Sequence, residues 1–123
     1  MVKILVHLTH GPSAPTQADR AFLIAKTAIE EGHQVSMFLA GAAVELIRDE
    51  NLNQTLGIGE TAVTLRDSVN SIIEGGGKIV LSKVSCGARG IEEAELEGKK
   101  VELGMPNALV KMTVENDRVI TYG

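Results

Sequence analysis

The chain has one cysteine, Cys86. That excludes an internal disulfide and any zinc site built on paired thiolates. No His-x-x-x-His and no tight His/carboxylate spacing stands in their place, so neither a metal nor a cofactor is expected. Aromatic side chains are three, Phe22, Phe38 and Tyr122, too few for a platform on which single-stranded bases stack. Lys/Arg runs are missing and the formal net charge is -4. Binding to a phosphate backbone, which draws on counterion release by clustered basic residues, is not expected. No apolar stretch reaches the ~18 to 20 residues of a membrane helix, so a membrane is not an expected partner. The sequence opens on a strand-like pattern rather than a charged region followed by a cleavable apolar segment, and a cytoplasmic protein is the expectation.

What is present is the composition of an ordinary globular protein: 123 residues, 44% apolar and 23% charged. A chain of this size buries roughly two-thirds of its unfolded surface without staples. No repeat, low-complexity tract or linker divides it, and one domain over residues 1–123 is expected.

Val2 to Leu8 is a nearly continuous apolar run, rich in β-branched residues and ended by a Gly-Pro stretch, which suits a strand buried on both faces of a parallel sheet. From Thr16 the period becomes helical through Ala18, Ala21, Phe22, Ala25, Ala28 and Ile29, with Thr16 as the expected N-cap and Gly32 as terminator. Gln34–Leu39 reads as the second strand, completing a βαβ unit, and Ala42–Asp49 as a second helix. Thr64–Glu74 shows helical spacing again, and three glycines stop it before a third strand at Lys78–Ser82. Ile91–Leu96 suits a short acidic helix and Lys100–Leu103 a fourth strand. Pro106–Glu115 suits a helix begun by proline, although Val110 to Val114 would also fit extended chain, and Arg118–Tyr122 a last strand. The alternation predicts a three-layer α/β/α fold with a mostly parallel five-stranded sheet in the flavodoxin-like order 2-1-3-4-5.

In that order the loop after the first strand, carrying His10, lies beside the segment after the third, carrying Cys86. Cys86 reads as part of a loop, flanked by Ser85, Gly87 and Gly90, with Lys83 and Arg89 within three residues. Positive charge and a helix beginning near Ile91 favour a thiolate there. A one-unit fall from a reference pKa of about 8.5 would raise the thiolate fraction at pH 7 from roughly 3% to roughly 24%. The competing reading is a passive buried thiol, the commonest state of free cysteine. His10 could act as base or charge partner, or simply stabilise a turn. His7 reads as a packed strand residue, and His33 sits beside a helix-ending glycine.

Gly57-Ile58-Gly59-Glu60-Thr61-Ala62 matches the dinucleotide pattern G-x-G-x-x-A, but it neither follows a clear strand nor closes the first βα turn. It reads as a lead into the next helix. The first βα loop, Gly11-Pro12, lacks the P-loop spacing and lysine, although an anion could sit at the helix it precedes. The run Glu92 to Glu97 reads as a solvated face.

Together these segments resemble the DsrE/DsrF-like family of small sulfur-relay proteins. The likeness runs through Lys3-Ile4-Leu5-Val6, the helix entry after the Gly-Pro loop, Glu31-Gly32-His33-x-Val35, Gly76-Gly77-Lys78-Ile79, Ser85-Cys86-x-Ala88-Arg89-Gly90 and Asp117 to Tyr122. The resemblance implies a cysteine that accepts sulfane sulfur as a persulfide and passes it to a partner thiol, a role that falls on Cys86. It also implies sulfur-donor and sulfur-acceptor proteins as partners, since one cysteine cannot resolve its own persulfide, and a homo-oligomer, a trimer or hexamer. Met105, Ala108, Leu109 and Met112 are candidates for its buried contact. Two other readings remain at this point: a non-catalytic oligomeric module binding a small anion or nucleotide, and a thiol sensor oxidised to a sulfenic acid.

Overall fold

The computed structural model describes residues 1–57 and 63–123. Its strands are β1 (Lys3–Leu8), β2 (Gln34–Leu39), β3 (Lys78–Ser82), β4 (Glu102–Gly104) and β5 (Arg118–Tyr122). Its α-helices are α1 (Pro15–Glu30), α2 (Asp49–Leu52), α3 (Leu65–Glu74), α4 (Lys83–Ala88) and α5 (Pro106–Glu115). Two 3-10 helices, Gly41–Ile47 and Glu93–Leu96, complete the set among the described residues. The five residues 58–62, which carry most of the G-x-G-x-x-A match, lie outside the described ones.

Helix α1 starts one residue earlier than the expected Thr16 cap. Pro15, whose fixed φ suits the first helical turn, opens it, and Ala14 at the N-cap makes no side-chain capping bond. Helix α3 is capped by Thr64, whose Oγ1 accepts from the Asp67 N–H at 3.2 Å. The helix expected over Ala42–Asp49 is instead the 3-10 helix and the short α2, broken where Arg48 turns extended (φ -66, ψ 142).

The five strands form one all-parallel sheet, but the order is β4-β3-β2-β1-β5, not the expected 2-1-3-4-5. Each of the first three connections moves the chain one strand in the same direction, and the last returns across the whole sheet to place β5 beside β1. Right-handed crossovers then put the first three connections on one face and α5 on the other. The packing follows this division. Val6, Leu8, Met37, Leu39, Ile79 and Leu81 pack with α1 and α3 in the main core, whereas Leu5, Phe38 and Val80, on the opposite face, meet Met112 of α5.

Alternation along each strand decides which residue joins which layer, because neighbouring side chains point to opposite faces. Leu5 is level with Ser36 and Val119, and Val6 with Met37 and Ile120. The face under α1 and α3 is deep. That under α5 has one helix for five strands, and His7 sits there, its ring edge-on to Phe38 with centroids 6.0 Å apart.

Candidate functional site around Cys86

In an open parallel sheet, a crevice forms where the connections leaving two adjacent strands diverge to opposite faces. In this order that fork lies between β3 and β4: the chain leaving β3 runs to the α1/α3 side, and the chain leaving β4 enters α5. Cys86 follows β3 directly. In the expected order 2-1-3-4-5 the fork falls between the first and third strands. The structure moves it along the sheet, and Cys86 remains at it.

The segment around Cys86 is a helix, not the expected loop. Ser82, the last residue of β3, caps it by accepting from the Ser85 N–H at 3.1 Å. Its C-terminus closes as a Schellman motif: Ile91 N–H donates to Cys86 C=O at 2.9 Å and Gly90 N–H to Gly87 C=O at 3.3 Å. Gly90 occupies the left-handed position (φ +68) that this motif reserves for glycine. The glycines that suggested a loop are therefore partly a helix stop. The motif also brings Cys86 and Ile91 together on the inner side, where the thiol is 3% exposed and belongs to the main core.

The thiol nevertheless has a way out. It lines a cavity of about 330 Å³ with Lys83 and Gly87 of α4, Ile91, Glu92, Glu93 and Leu96 of the following segment, and Leu103 of β4. Gly87 adds no side chain to the cavity wall, and a Cβ there would meet no atom within 4 Å.

The charges around the sulfur are not those the local sequence suggested. Burial pushes the Cys86 thiol above its ordinary value; the Arg48 charge opposes that rise and Glu95 adds to it. Arg48, from the break between the 3-10 helix and α2, donates from Nη2 to the Arg89 C=O at 2.7 Å. Its Nε lies 3.6 Å from Glu95 Oε1 and 3.8 Å from Glu45 Oε1, enclosed and without a hydrogen-bond partner among the described residues. Arg89 thus takes part through its carbonyl, while its side chain is exposed. Lys99 Nζ donates to the Ile47 C=O at 2.8 Å and lies 3.0 Å from Asp49 Oδ1. Hydrogen bonds from Lys99 and then Arg66 hold the Asp49 carboxyl below its usual value.

Of the expected site residues, the structure gathers Cys86, Lys83 and Gly87 around one cavity and gives Ser85 an anchoring bond, its Oγ accepting from the Gly41 N–H at 2.9 Å. His10 is not brought to them. With β2 between β1 and β3, its loop is two strands, about 10 Å, from that of Cys86. It neighbours the end of β5 instead, where a Cβ on Gly123 would lie 3.5 Å from His10 Cδ2. Gly11 has a packing role: a Cβ there would lie 2.3 Å from the Ala42 carbonyl oxygen. Arg48 and Glu95 were missed, because no local pattern joins an arginine in an irregular connection to a thiol 38 positions later.

No group of three or more His, Cys, Asp or Glu among the described residues is placed to hold a metal ion. No helix among them is long and apolar enough to cross a membrane.

The fold is shared with solved structures over nearly their whole length. The YchN protein from E. coli superposes with a TM-score of 0.77 at 19% identity, covering 99% of this chain and 100% of that one. A conserved protein of unknown function from Bacteroides thetaiotaomicron gives 0.71 at 11% identity, covering 97% and 93%. One from Methanobacterium thermoautotrophicum, also of unknown function, gives 0.69 at 12%, covering 98% and 99%. No curated protein matches the chain. The sequence pattern of the DsrE/DsrF-like family matches residues 2–122, and the chain belongs to that family.

Proposed function

We propose that the protein is a sulfur carrier that accepts sulfane sulfur as a persulfide on Cys86 and passes it to a partner thiol. The observation that carries this reading is the position of the thiol, lining a cavity at the fork between β3 and β4. Membership of a family of sulfur-relay proteins supports it.

Loading is a thiol–persulfide exchange. The Cys86 sulfur attacks the outer sulfur of a donor R–S–SH, the S–S bond of the donor breaks, and R–S⁻ leaves and takes up the proton released by Cys86. Unloading is the same step in reverse sense: an acceptor thiolate attacks the outer sulfur and Cys86 is restored as a thiol. Each step conserves sulfur, protons and oxidation level, so no oxidant, metal or cofactor is required. Only the thiolate attacks, and the raised pKa leaves the resting thiol protonated; the Arg48 charge favours the anion when it forms. Lys83 lines the same cavity and supplies a further cation for an anionic persulfide. Because the chain has one cysteine, the donor and the acceptor are both other proteins.

A homo-oligomer, a trimer or hexamer, belongs to the same proposal. The apolar residues left outside are not quite those the sequence suggested, since Met112 is buried against the sheet and Ala108 and Leu109 are half-buried. Val110 and Val114 of α5 are 64% and 79% exposed, and Met105 and Val119 are also exposed. A second copy covering this thinly layered face would bury them.

The test is intact mass after incubation with a persulfide donor. Wild type should gain one sulfur atom, reversibly by reductant, and Cys86→Ser should gain none. Absence of the adduct with small-molecule and protein donors alike would refute the proposal.

A further inference from the structure

One wall of the cavity at the thiol is a single short piece of chain. Residues 92–97 run between Gly90 (φ +68) and Gly98 (φ +76), two left-handed glycines at which an added Cβ would meet nothing within 4 Å. The piece has space on both sides. The cavity of about 330 Å³ at Cys86 is walled by its Glu92, Glu93 and Leu96, and a second, of about 260 Å³, by Glu95 together with Arg48 and Lys99.

Its main-chain hydrogen bonds, among the described residues, stay local. Glu95 N–H donates to Glu92 C=O at 2.9 Å, Lys99 N–H to Leu96 C=O at 3.2 Å, and Glu92 N–H to Glu95 Oε2 at 3.0 Å. What ties it to the body is polar. Arg48 faces Glu95 across 3.6 Å while gripping the Arg89 carbonyl before Gly90, and Lys99, whose side chain is 9% exposed, holds Ile47 and Asp49 beyond Gly98. Leu96 is its only large apolar side chain, and it is only half-buried.

We infer that residues 92–97 form a strap beside the Cys86 thiol, hinged at Gly90 and Gly98, anchored outside the hinges by Arg48 and Lys99 and latched by the Arg48–Glu95 ion pair, which lifts to admit the sulfur donor. This deepens the sulfur-carrier reading and rests on it. Chain flanked by cavities, tied internally and fastened by one ion pair can open without unpairing a strand, because all five strands lie outside it. Contact of an incoming protein with Arg48 or with the strap's carboxylates would compete for the latch, so opening is coupled to docking.

The experiment follows alkylation of Cys86 by iodoacetamide across pH, which separates the thiol pKa from the limiting rate of the thiolate. Glu95→Gln and Glu95→Ala each remove the latch and should raise the limiting rate about three- to fivefold, as loss of one partly exposed ion pair would. A change confined to the pKa is the electrostatic effect alone. Limiting rates within about twofold of wild type in both variants would overturn the strap.

Wild type supplies a measurement that survives misfolding of either variant. Its labelling should be nearly independent of urea below the unfolding transition, the mark of a local opening. A urea slope equal to that of global unfolding would overturn the inference. Alkylation needs no sulfur donor, so the two proposals fail separately: latch-sensitive labelling without a persulfide adduct leaves the strap standing, and adduct formation with latch-insensitive labelling removes it.

Discussion

Ser85 Oγ accepts a hydrogen bond from the Gly41 N–H at 2.9 Å, tying the residue before the thiol to the chain leaving β2. Ser85 N–H is in turn held by Ser82 Oγ at 3.1 Å. One serine therefore fixes α4 both to the end of its own strand and to the neighbouring connection, and the orientation of Cys86 follows.

Ser85→Ala should leave the Gly41 N–H unpaired in a partly buried site and lower stability by about 1–2 kcal/mol. Ser82→Ala, which removes the α4 cap, should cost about 1 kcal/mol. Urea unfolding with an unchanged m-value checks both. The two losses should not add, because the residues share one bonded network.

Much of this arrangement was legible in sequence. The bounds of β2, β3, α5 and β5 follow from period and punctuation and are those observed. The strand order was not legible, because the direction of each crossover depends on which faces pack, not on any local pattern. The helix around Cys86 was hidden for a different reason. Gly87 and Gly90 look alike in sequence, yet one lies inside the helix and the other terminates it. The cation that acts on the thiol was sought among its chain neighbours, Lys83 and Arg89, whereas Arg48 reaches it through the fold.

The thiol also makes stability depend on pH. Burial holds the folded pKa of Cys86 above the value of about 8.5 expected in the unfolded chain. Above that value the native state keeps a proton the unfolded state has lost, so stability falls as pH rises toward the folded pKa. Wild type should lose stability between about pH 8.5 and 10 by more than Cys86→Ala does, in melts at matched ionic strength. Equal losses would show that the thiol is not responsible.

His7 acts at the other end of the scale. Burial lowers its pKa, and its Nε2 is enclosed with no partner among the described residues. The unfolded chain therefore takes up a proton near pH 6.5 that the native state resists, and stability falls as pH drops from about 7 to 5. His7→Leu should flatten this part of the profile.

Gly104 is a packing requirement. A Cβ there would stand 2.9 Å from both Ala108 Cβ and Val80 Cγ1. Gly104→Ala should push α5 away from the sheet and cost about 1–3 kcal/mol, seen as a lowered urea midpoint. Gly87→Ala, inside α4 with nothing within 4 Å, should instead raise stability by about 0.5–1 kcal/mol.

The most direct measurement is the return half of the sulfur cycle. Protein carrying a persulfide on Cys86 is freed of donor and mixed with a thiol acceptor, and sulfane sulfur and free protein thiol are followed together. The account predicts one sulfur moved per chain, with the Cys86 thiol regained in step and no transfer from Cys86→Ala treated identically. Sulfur that stays on the protein, or leaves without restoring the thiol, would contradict it.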